Sequence, residues 1–77
     1  MSKNNVLSYE QLKHADVRHA WRYGEEYFLR VKGETYWDNS MYRVNPSQRT
    51  ASWLTILEWM EKYQDDCVEV DPSQLKL

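Results

Sequence analysis

The chain predicts an α+β fold in the order α-β-β-β-α, and three observations carry that reading. Two stretches open with helix-capping signatures, Ser8 with Gln11 and Asn45 with Gln48. Between them, residues 25–37, "EEYFLRVKGETYW", alternate on either side of a Gly-Glu pair, as a hairpin does. The connections between the strands are so short that neighbours must pair antiparallel. The predicted architecture is a three-stranded antiparallel meander packed against two helices, with a short C-terminal strand as an optional addition. Residues 1–77 make one small domain, in which 71–77 are a loosely ordered tail.

The first helix is predicted over "LSYEQLKHADVRHAWRYG", residues 7–24. Ser8 caps it, Gln11 closes the capping box and Leu7 staples onto Leu12. Gly24 stands where a left-handed residue ends a helix. At helical spacing Tyr9, Leu12, Ala20 and Tyr23 share a face, with Asp16 near its middle. His14, Arg18 and Arg22 form a basic ridge opposite, flanked by Trp21.

The first strand is predicted over 26–32, followed by a two-residue turn at Gly33-Glu34, which offers the leading glycine of a type II′ turn. The second strand starts at Thr35, Asp38-Asn39-Ser40 is a turn cluster, and residues 41–44 are the third strand. The second helix opens on Asn45, with Pro46 at its first position, and continues to about residue 63. Its apolar arc holds Trp53, Ile56, Leu57, Met60 and Tyr63, widened by Leu54 and Trp59. The arc exceeds an ordinary core stripe, so one flank meets a further element or another molecule. Residues 67–70 alternate as a short strand, and Asp71-Pro72 starts one more turn.

Alternation divides the sheet into two faces. Tyr27, Leu29, Val31, Tyr36, Tyr42 and Val44 fall to the core, with Trp53, Leu57 and Met60 of the second helix buried against them. With both helices on that side, Phe28, Arg30, Lys32, Trp37 and Arg43 face water. A hairpin turning at 33–34 sets Arg30 opposite Trp37, where a guanidinium can stack on an indole. Trp, Phe and Arg are the residue types that dominate binding hot spots, so these five are the partner-binding candidates. A solvated face would read the same way, and so would a face over which the first helix folds, burying Phe28 and Trp37.

Composition narrows the function. Aromatics make up 14% of the chain, with four Trp and six Tyr, a surplus of amphipathic rings suited to interfaces. The net charge is −2, but residues 58–71 alone carry a balance of −5. An acidic chain is a poor non-specific nucleic-acid binder. Cys67 is the only cysteine, so the chain has no internal disulfide, which points to a reducing, cytoplasmic setting. No apolar run approaches the roughly 20 residues of a membrane helix.

Catalytic signals are weak. His14 and His19, five residues apart, sit about 140° apart on a helix and do not converge as metal ligands do. Asp65, Asp66, Glu69 and Asp71 lack the spacing of a calcium loop, and the first three disfavour a thiolate at Cys67. There is no glycine-rich phosphate loop, and no cofactor is expected.

The predicted element order is similar to that of double-stranded RNA-binding domains. Those carry a basic cluster at the start of the second helix, where "NPSQRTASW" offers only Arg49. A three-stranded sheet backed by a helix also resembles certain sheet-reading DNA-binding domains, whose exposed strands carry Arg and Trp, as Arg30, Trp37 and Arg43 do here. Both are likenesses of architecture without a shared motif. The expected function is that of a non-catalytic small binding protein that modulates or inhibits a macromolecular partner, a protein in the first instance. Small regulators of this type are typical of phages and mobile elements. The alternative is a sheet-reading nucleic-acid-binding module. A third reading is a homodimer joined through the Trp59 flank or the 67–70 strand.

Overall fold

The computed structural model describes residues 6–32 and 40–77. The α+β class holds, but the sheet is larger and the helices shorter than expected. Helix α1 (Tyr9–Leu12) leads to β1 (Val17–Tyr23), β2 (Glu26–Val31), β3 (Ser40–Asn45) and β4 (Thr50–Thr55). Helix α2 (Ile56–Lys62), a 3₁₀ turn at Gln64–Asp66, strand β5 (Val68–Val70) and a 3₁₀ turn at Pro72–Gln74 complete the order. The five strands form one sheet in the order β4-β3-β2-β1-β5, every pair antiparallel.

Both long helices of the sequence reading are corrected. The Ser8–Gln11 capping box forms as read, each side chain bonding the other residue's backbone N–H. Yet α1 ends after one turn, and Val17–Tyr23 is a strand. Val17, His19, Trp21 and Tyr23 recur every second residue, a strand period that the helical spacing of Ala20 and Tyr23 disguises. Gly24 does take a positive φ of 63°, but as the first residue of the two-residue turn joining Tyr23 to Glu26. This Gly-Glu pair makes the kind of turn assigned to Gly33-Glu34. That second pair, with Tyr36 and Trp37, lies outside the described residues.

Asn45 accepts the backbone N–H of Gln48 at 3.1 Å, as a helix cap would. The bond closes a β3–β4 turn instead, with Ser47 also donating to Asn45 Oδ1 and Arg49 at φ 56°. Asx side chains serve turns and caps through the same local bond, so the motif does not decide which follows. Residues 50–55 then extend as β4, and the true helix cap is Thr55, whose hydroxyl accepts the N–H of Glu58. The T-x-x-E spacing of Thr55 and Glu58 was the legible signal.

The helices cover opposite faces of the sheet, which produces two cores. On one face Ala20, Leu29, Val31, Tyr42 and Val44 pack with Tyr9 and Leu12 of α1, joined by Leu75 and Leu77 from the chain's end. An extra residue in β1, between the pairs Val17–Val31 and His19–Arg30, lets both Val17 and Ala20 serve this core. On the other face Phe28, Met41, Leu54 and Trp59 pack with Trp21, Tyr23, Ile56, Tyr63 and Cys67. No helix of the described residues is long and apolar enough to cross a membrane.

Candidate functional site

The expected outward face is divided by α2. Register aligns Trp21, Phe28, Arg43 and Ser52 across four strands, and α2 lies over the middle of this row. Phe28 is therefore 0% exposed, and its assignment to a free surface is corrected. The assumption that failed is that both helices share one side. With a helix on each face, alternation sends one apolar set to each core and leaves neither face free.

Arg43 is held by a ring of aromatic groups. Its guanidinium carbon lies 5.1 Å from the Tyr63 ring centre, 5.6 Å from that of Tyr23 and 5.8 Å from that of Phe28. The Nε of Arg43 donates to Glu26 Oε1, and its Nη1 donates to the Tyr63 hydroxyl at 3.3 Å. Glu26 also accepts from Asn45 Nδ2 at 3.2 Å. The hydrogen bond to Glu26 pushes the pKa of Arg43 above its ordinary value, so the guanidinium stays charged. Three rings and a carboxylate make a cage for a cation, and the chain's own Arg43 fills it. The arrangement locks β3 to α2 and is not an open binding site.

Arg30, Lys32 and Trp37 fare differently. Arg30 is half-buried opposite His19, whose ring stacks with Trp21 at 5.9 Å. Lys32 is exposed just beyond β2, its backbone N–H donating to the carbonyl of Asp16. Trp37 lies outside the described residues. The structure thus places His19, Trp21 and Arg30 on one sheet face, with Trp21 also packed 4.5 Å from the Trp59 ring beside the Arg43 cage. The ridge read as His14, Arg18 and Arg22 does not exist as such, because His14 precedes β1 and the other two lie on it.

The surface missed at the sequence level is on α2. Ile56, Trp59 and Tyr63 face the sheet, and Trp59 is 3% exposed. Leu57 and Met60, expected inside, are 65% and 47% exposed. They stand three residues apart, side by side on the outer face of the helix. Glu58, paired with Lys62 at 3.5 Å, and Glu61 accompany them, and Asp65 and Asp66 follow at once, all exposed. Trp53, also expected inside, is 39% exposed on β4, across from Tyr42. The burial of Trp59 likewise removes the Trp59 flank as a dimer surface. The missing signal was the helix start: a helix begun at Thr55 instead of Asn45 gives three inward positions at 56, 59 and 63.

An open groove of about 460 Å³ runs between the α1 turn and the chain's end, lined by Leu12, Val17 and Leu75 with Lys13, His14 and Lys76. Burial pushes the Cys67 thiol up, away from a reactive thiolate. Among the described residues, no group of three or more His, Cys, Asp or Glu side chains is placed to hold a metal ion. No family model, no curated protein and no solved structure matches the chain.

Proposed function

We propose that the protein is a non-catalytic binding protein that modulates or inhibits a protein partner through the outer face of α2. The observation that carries this reading is the exposed pair Leu57 and Met60, set among Glu58, Glu61, Asp65 and Asp66. Large apolar side chains exposed together on a small domain are costly unless something covers them. The acidic rim defines that partner by charge: a protein with an apolar cleft bordered by Lys or Arg. Met adds a flexible thioether that adapts to an irregular cleft. A partner blocked at such a cleft would lose access to its own acidic ligands, which is a route to inhibition.

A second reading, nucleic-acid binding, is favoured by one observation, the neighbouring His19 and Arg30 beside the stacked Trp21, with Lys32 nearby. The two part experimentally. Partner capture from the host, with and without nuclease, is compared for the wild type and a Leu57→Ala/Met60→Ala variant. Protein binding on α2 predicts nuclease-resistant capture that the double variant weakens by about 2 kcal/mol or more. Capture that nuclease abolishes, and that Lys32→Ala weakens most at low salt, would overturn it in favour of the second reading.

A further inference from the structure

We propose that the outer edge of β4 pairs with β4 of a second copy of this chain, across a two-fold axis, to make one continuous sheet. The inference is independent of the α2 reading. Strand β4 is an end strand of the sheet, and no described strand pairs with its outer side. Its six residues, Thr-Ala-Ser-Trp-Leu-Thr, contain no charge, no Pro and no Gly. All six pair regularly with β3, so no bulge twists the edge away. Natural edge strands are protected by charge, Pro, bulges, shortness or a covering element. The opposite edge has such protection: β5 is three residues long, carries Glu69 and runs into Asp71-Pro72. Among the described residues strand β4 has none of these, since α2 lies on the sheet face, over Phe28, Met41 and Leu54.

Symmetry identifies the occupant. In an antiparallel pair, directly opposite residues either both bond across the ladder or both do not. A strand meeting its own copy must therefore place one residue opposite itself. A two-fold axis at Trp53 does this with Ala51 opposite Thr55 and Ser52 opposite Leu54, so no like charges meet. It also brings two half-exposed Trp53 rings together on the α1 face, where cross-strand aromatic pairs add to pairing. The strand is thus self-complementary, as a two-fold interface requires. A net charge of −2 leaves little repulsion between copies.

The test is the mass of the purified full chain in solution, by sedimentation across a concentration series. The expected result is a dimer of the 9.4 kDa chain. Ser52→Glu and Trp53→Lys each raise its dissociation constant by about tenfold or more, since each sets like charges close together across the axis. Val68→Lys on the opposite edge leaves it unchanged. Ser52 is exposed and lies opposite Arg43, where a glutamate meets a cation, so Ser52→Glu keeps the wild-type circular dichroism and melting temperature and decides the matter even if Trp53→Lys does not fold. On oxidation, Trp53→Cys in a Cys67→Ser background gives a covalent dimer, which Thr50→Cys does not. A chain monomeric at every concentration, or a dimer that survives Ser52→Glu, overturns the proposal. So does a dimer broken by Val68→Lys. Either result leaves partner binding at Leu57 and Met60 to be judged by its own experiment.

Discussion

Arg43 shows how a residue's type can be legible while its role is not. Arg, Phe and Trp interleaved on a sheet suggest recognition, yet here the cation is bound by rings from its own chain. Arg43→Ala removes the Glu26 ion pair, the Tyr63 hydrogen bond and the ring contacts together, and should cost about 2 kcal/mol in urea unfolding. Arg43→Lys should recover only part of this, because an ammonium cannot reproduce the two-sided geometry of a guanidinium. Cys67 gives a second check. Its folded pKa is raised by burial, so its contribution to stability is present below the unfolded thiol pKa and is lost as pH rises through the folded one. Stability should therefore fall at alkaline pH, and less so in Cys67→Ser. Alkylation of Cys67 at neutral pH should be slower in the native chain than in the urea-unfolded one.

At the scale of elements, local signals were accurate about bonds and ambiguous about what the bonds introduce. Ser8, Asn45 and Asp71 all accept the backbone N–H bonds their types suggest, but only the first opens an α-helix. The 3₁₀ turn after Asp71 is the single helical turn read from Asp-Pro, and Val68–Val70 is the optional strand. Turn positions yield a pair of predictions. Gly24→Ala meets no atom within 4 Å but must hold φ at 63°, so it should cost about 1 kcal/mol through the backbone alone. Arg49 already sits at φ 56°. Arg49→Gly should be near neutral, whereas the β-branched Arg49→Val should cost roughly 1–2 kcal/mol by thermal unfolding. A loss in Gly24→Ala much above that range would mean the turn has been misplaced.

For the whole molecule, the arrangement of layers decides which side chains matter. Phe28 and Leu29 are neighbours in sequence and both buried, each in a different core. Phe28→Ala should cost about 3–5 kcal/mol, a large share of a small domain's stability. Leu57→Ala, at an exposed position, should stay within about 0.5 kcal/mol of the wild type. Urea unfolding of the two variants checks the layer order directly: a large loss in Leu57→Ala with a small one in Phe28→Ala would restore the arrangement with both helices on one side. The same layering moved the candidate site, from a sheet face that α2 covers to the outside of α2 itself.

Local pattern suffices for the α+β class, the capping bonds, the alternation of residues 26–32 and 41–44, and the burial of Leu29, Val31, Tyr42 and Val44. These depend on interactions within a few residues, or on a period of two that only one backbone conformation satisfies. Long-range packing sets the rest. Residues 17–23 and 50–55 suit helix or strand on pattern alone, and pairing with β2, β5 and β3 is what makes them strands. Adding them widened the sheet until each face needed its own cover, which placed the helices on opposite sides. That placement buried Phe28 and Trp59 and exposed Leu57 and Met60, because the side a helix packs on is set by long-range burial that no local pattern encodes.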